Sequence, residues 1–206
     1  ELLQETFTAH QRIIFNGNGY DDAWVAEAAR RGLANLRDTV DCMPAYIDKK
    51  NIDLFTKHAV LTETEMRARY EIHLENYCKV TAIEAHTLLD MVTRCILPAA
   101  GKYADSLAQT LFHKKNCGIS LPTVMEERTL TRVSEQSAAL FRICEDLQTA
   151  LHNAPAADGG IDVARWYRAE IAARTQQAGE LINQLETIVD AACWPYPTYA
   201  DILFSV

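Results

Sequence analysis

The stretch IIFNGNGYDDAW, residues 13–24, joins an apolar run to two glycines and a helix start. In that layout backbone N–H groups and a helix N-terminus can cradle a phosphate. Its details oppose the chemistry. After Gly17 and Gly19, the third glycine of a dinucleotide fingerprint falls on Asp22, and Asp21 with Asp22 would repel the anion that the helix dipole attracts. The loop reads instead as a turn in which Gly and Asn supply positive φ. Metal ligation is the second chemistry the spacing allows, through Glu71, His73 and Glu75, then His86 with Asp90 at i, i+4. A long, highly charged helix produces such spacings as a solvated face, which is the reading favoured by the surrounding residues. His58, His113 and His152 fall near expected helix C-termini, where a cation suits the dipole. Cys42, Cys78, Cys95, Cys117, Cys144 and Cys193 show no C-x-x-C and no close spacing, so they read as reduced thiols and mostly small core residues. No Ser/His/Asp or Cys/His constellation can be assembled. The residues therefore nominate no catalytic, cofactor-binding or metal site.

The elements that would position these side chains are helices. Arg12 to Phe15 is a short β-prone run, followed by a helix with Asp21 or Asp22 as N-cap, a Glu27–Arg31 pair at i, i+4, and Gly32 as its stop. Two short helices follow, separated near Asp48, with Pro44 disturbing the first. Thr62 and Glu65 then form a capping box, and Glu63 with Arg67 adds an i, i+4 pair. Beyond them Met66, Tyr70, Leu74, Tyr77, Thr81, Ala85, Leu88, Val92 and Cys95 recur on one helix face. Pro98 should kink or split that helix near Arg94, after which Tyr103 to Lys115 runs on to a stop at Gly118. A third long helix spans about 123–153 on Leu130, Val133, Ser137, Leu140, Cys144, Leu147 and Leu151. NAPAADGG is a loop by composition, and a fourth long helix over about 162–193 repeats the pattern through Tyr167, Ile171, Arg174, Ala178, Leu181, Leu185, Ile188 and Ala192.

The expected fold is therefore mainly α. It is an antiparallel bundle of long helices with a short β-prone run near the N-terminus and an extended aromatic and proline tail, in one helical domain over 1–206. Residues 1–61 form its short-helix part, 62–193 the bundle and 194–206 a docking tail. That tail, WPYPTYADILFSV, cannot continue a helix through Pro195 and Pro197, yet it is too apolar to fray. It is expected to run back and pack near RIIF and Trp24, burying Trp194, Leu203 and Phe204.

Composition narrows the partners. A net charge of -8 opposes binding to nucleic-acid phosphate or to an anionic membrane. The start, ELLQETFTAH, lacks the basic-then-apolar layout of a secretory signal, and no apolar run approaches the ~20 residues of a membrane helix. The expectation is a cytoplasmic protein, and a first residue other than Met suggests a fragment of a longer chain.

HQRIIFNGNGYDDAWVAEAARRGLANL, RYEIHLENYCKVTAIEAHTLLDM and the closing WPYPTYADILFSV resemble the C-terminal region of type III glutamine synthetases, and the likeness runs essentially end to end. The middle portion, NLRDTVDCMPAYIDKKNIDLFTKHAVLTETEMRARYE, is also similar to the C-terminal stretch of other glutamine synthetase classes, whose short helices follow the catalytic barrel. LPTVMEERTL and NAPAADGG depart from the likeness. The resemblance implies a parent enzyme that condenses glutamate with ammonia using ATP and divalent Mg or Mn, through a γ-glutamyl phosphate, in a ring-based homo-oligomer. It implies that ATP, metal and glutamate are held by a barrel upstream of residue 1, so no motif residue carries over and no cofactor is expected on this chain. The implied partners are that upstream domain and neighbouring subunits, and the implied role is structural, assembling or regulatory. The competing reading is a free-standing module that binds a partner helix along an exposed heptad seam.

Overall fold

The computed structural model describes residues 1–204; Val206, placed by the sequence reading in the tail, lies outside them. The chain is mainly helical, without a strand among the described residues. It groups into two compact units, Glu1–Met66 and the residues from Arg67 onward.

In the first unit, α1 (Leu2–Ala9) leads into a 3-10 turn, Gln11–Ile13. This corrects the β-prone reading of Arg12 to Phe15. A strand needs a neighbour to take its backbone groups, and none is present among the described residues. The local carbonyls are satisfied by a cation instead: Arg31 donates to the carbonyl oxygen of Ile14 at 2.6 Å and to that of Arg12 at 3.4 Å. Helix α2 (Asp22–Arg30) has Asp21 as its N-cap, the carboxylate accepting from the Ala23 N–H at 2.9 Å. It closes at Gly32, which takes φ +74°. The short helices α3 (Thr39–Tyr46, with Pro44 inside) and α4 (Lys49–Lys57) meet at the N-cap Asp48. The Thr62–Glu65 capping box is formed: the Glu65 carboxylate accepts from the Thr62 N–H at 2.8 Å, and the Thr62 hydroxyl accepts from the Glu65 N–H at 3.2 Å.

That box opens α5 (Glu63–Met91). From Arg67 onward the second unit is built of long rods. Helix α5 passes through a π-helical segment, Val92–Ile96, into α6 (Leu97–Asn116). The expected break near Arg94 takes the form of this wider turn: Pro98 lacks the N–H that the Arg94 carbonyl would accept. Gly118, at φ +80°, ends α6, and α7 (Val124–His152) returns along it. The third rod is α8 (Gly160–Trp166), a second π-helical segment Tyr167–Ala172, and α9 (Ala173–Glu186). Helix α7 packs between α6 and α9, each joined to it by a short connection, which makes neighbouring rods antiparallel.

The seams become the core. Val92, Ile96 and Ala100 meet Val133, Leu140 and Cys144 of α7 and Ala178 and Leu185 of α9 in one buried cluster, closed by Val189 and Trp194. The buried position drifts by one residue along each rod. Cys78 is buried where Tyr77 was expected, Ile96 where Cys95 was, and Val189 where Ile188 was. Ala192 is exposed, because α9 ends at Glu186 and not near Cys193. There the Thr187 hydroxyl donates to the Gln184 carbonyl, and the Asp190 carboxylate caps the Ala192 N–H at 2.8 Å, local bonds that compete with helix continuation.

One ion pair is locked into the α6–α7 hairpin. Lys114 donates to Glu126 at 2.5 Å, the Glu126 side chain being 2% exposed, and this cation holds its carboxyl below the ordinary carboxylate range. The second carboxylate oxygen is buried without a partner. Removing the cation is therefore expected to hurt more than removing both charges. Lys114→Met should lower the melting temperature by roughly 10 °C, and adding Glu126→Leu should recover most of it. A double variant that melts with the single one would show that the charge is not the cause.

Candidate functional site

The glycine loop is held from within its own unit. Phe15 stacks on Trp24, centroids 4.2 Å apart, and the Arg31 guanidinium lies 5.6 Å from the Trp24 ring and 5.8 Å from that of Phe15. Glu27 ties Arg30 and Arg31 together at 2.6 Å each, and those guanidinium hydrogen bonds, Arg30 foremost, pull its carboxyl down to about 2. Gly17 and Gly19 do not take the positive φ expected of them. A Cβ on Gly17 would stand 2.4 Å from the Phe15 ring, so glycine there makes room for an aromatic plate. The Ala23 N–H, a donor an anion would need, is already taken by Asp21.

The expected histidine positions spread out. His73 is exposed, and Glu75 pairs with Lys79 at 2.5 Å. His86 and Asp90 do share a cleft of about 440 Å³, which also receives Thr93 and, from α7, Gln148 and His152. Asp90 is engaged by Arg94 at 2.9 Å. Among the described residues no three His, Cys, Asp or Glu side chains are placed to hold a metal ion. His58, His113 and His152 sit at the C-terminal ends of α4, α6 and α7. Cys78 and Cys144 are buried and burial pushes both thiols up, away from the reactive thiolate, while Cys117 is exposed.

An apolar cavity of about 390 Å³ lies beneath the start of the tail. Met91 and Leu88 line it from α5, Ile182 from α9, and Trp194, Tyr196 and Pro197 from the tail. The Tyr196 phenol bonds to Cys95, which with burial pushes its ionisation upward. Within its own unit the tail is anchored at two places: Trp194 enters the core cluster, and the Tyr199 N–H donates to Glu186 at 2.9 Å while its hydroxyl bonds Asn183 at 3.1 Å. It is not extended throughout. Thr198 and Asp201 form a capping box that opens a last helical turn, α10 (Tyr199–Leu203). Leu203 and Phe204 are 73% and 77% exposed, so the burial expected of them is confined to Trp194. The cavity escaped the sequence reading because its walls lie about a hundred positions apart, and only the folded rods bring them together.

The seams that a free-standing module would offer to a partner helix are occupied, Leu140, Leu147, Ile171 and Leu185 being fully buried. No helix among the described residues is long and apolar enough to cross a membrane.

Residues 1–115 match the family model described as the glutamine synthetase C-terminal domain. A glutamine synthetase of Butyrivibrio fibrisolvens is 34% identical over 206 residues, covering 100% of this chain and 29% of the relative. A type-3 glutamine synthetase of Dictyostelium discoideum is 27% identical over 99% of this chain and 28% of its own length, and a glutamine synthetase of Bacteroides fragilis (strain YCH46) 26% identical over 99% and 28%. The chain thus spans under a third of the length of these relatives. With more than half of its residues inside that family model, the chain belongs to the glutamine synthetase C-terminal domain family.

Proposed function

We propose that the chain is the C-terminal helical part of a cytoplasmic ATP-dependent glutamate–ammonia ligase, serving assembly or regulation while a barrel domain upstream carries out the chemistry. The observation that carries the proposal is the family match together with relatives named glutamine synthetase that are more than three times as long as the aligned region. Two features of the chain support it. The Asp21 carboxylate takes the Ala23 N–H beside the glycine turn at residues 17–19, and in this reading ATP with Mg or Mn would be held by the parent's other domain. Leu2, Leu3 and Phe7 of α1 stand 75%, 71% and 58% exposed, apolar surface of the kind that a neighbouring domain or subunit covers. The partners in this reading are the upstream domain and other copies of the same subunit.

The reading frame upstream of Glu1 is the direct test. Several hundred in-frame residues encoding a barrel are expected, and a start codon at that point overturns the proposal. In the same reading, calorimetry of the 206-residue chain with Mg-ATP should give no saturable heat, and micromolar binding would return the glycine loop to the phosphate sites.

A further inference from the structure

The cavity beneath the tail has a mouth of one sign. Its walls are apolar and aromatic, from Leu88 and Met91 to Trp194 and Tyr196, and the charged side chains that line it are Glu84 and Glu186, with no Lys, Arg or His beside them. Glu84 forms no ion pair or hydrogen bond among the described residues. Glu186 accepts the Tyr199 N–H through one oxygen. An apolar body finds burial in such a place, and a positive head finds two carboxylates and two electron-rich rings. A neutral ligand would leave the carboxylates unanswered, and an anion would meet them as like charges. At about 390 Å³ the space suits one small molecule.

From this we infer that the cavity is a binding site for a small organic cation, an apolar or aromatic body carrying a single amine, held by Glu84 and Glu186 at the rim and by Trp194 and Tyr196 within. The inference rests on this geometry and not on the proposed parent activity.

Phenethylamine, its neutral analogue 2-phenylethanol and the anion 3-phenylpropionate are the probes, titrated into the 206-residue chain and followed by heteronuclear NMR. Phenethylamine is expected to bind about tenfold more tightly than the alcohol, with shifts centred on the Trp194 indole and Met91 methyl. 3-Phenylpropionate is expected to bind more weakly than either. The double variant Glu84→Gln, Glu186→Gln keeps the acceptor for Tyr199 and should bring the amine down to the alcohol's affinity without changing the alcohol. Equal affinities for amine and alcohol in the parent chain, preference for the carboxylate, shifts centred elsewhere, or no saturation by the amine below about 10 mM would each overturn the inference.

Discussion

Leu140→Asp should leave the unit that begins at Arg67 without a cooperative melt. Leu140 is fully buried at the middle of α7, in one cluster with Val133, Cys144, Ala178 and Leu185. The substitution removes the branched side chain that fills this layer and puts a carboxylate where no cation or donor reaches. Loss of the apolar contacts alone costs about 2–5 kcal/mol, and the unpaired polar group adds further to it. The combined loss is comparable to the whole stability of an ordinary domain, about 5–15 kcal/mol. Thermal melts by circular dichroism, read beside size-exclusion profiles, decide the matter. An unchanged melting temperature with dissociation of an oligomer would mean that the α7 stripe meets another chain in solution.

The second large effect is expected at the tail, and at one residue of it. Trp194→Ala should destabilise the bundle by about 3–5 kcal/mol, since the indole is 9% exposed and closes the cluster formed by Val92, Leu185 and Val189. Removing everything from Thr198 onward should cost no more than about 1 kcal/mol. That cut takes away the two hydrogen bonds of Tyr199 and three apolar side chains, Ile202, Leu203 and Phe204, that are already 63%, 73% and 77% exposed. Urea titrations of both variants give the comparison. A truncated chain as unstable as Trp194→Ala would contradict the division of the tail drawn here.

Legibility followed the range of the interaction. Helix α2, the Asp48 junction, the Thr62–Glu65 box and the stop at Gly118 were readable because each is decided within a few residues, by a carboxylate that reaches a nearby N–H or by a glycine that turns left-handed. The seams were readable because a buried face must recur every turn. Contacts beyond the turn were not. RIIF has the residue types of a strand, but no second strand is present among the described residues, and Arg31, some seventeen positions on, takes its carbonyl. Gly17 could be marked as special but not explained, since its neighbour in space is the Phe15 ring. The end of α9 was hidden in TIVDAACW, where no glycine or proline marks a stop and the apolar spacing continues. What stops the helix is Asp190 and the demand that Trp194 reach the core. His86 and Asp90 were singled out for metal-like spacing, yet it took the fold to place His152 beside them.

The two π-helical segments separate chain length from angular phase. An α-helix turns by roughly 100° per residue, so one residue lost inside α7 would swing Cys144 and Leu147 out of their layer. Val92–Ile96 and Tyr167–Ala172 each hold one residue more than an α-helical turn needs, and the rods on either side already point as if that residue were absent. Excising Ala169, which is exposed, would let the second segment close as ordinary α-helix with Ala164 and Ala178 still facing inward, whereas at the first Pro98 keeps the wider turn open. The bundle thus carries one slack link at which a rod can be shortened by a residue without being turned.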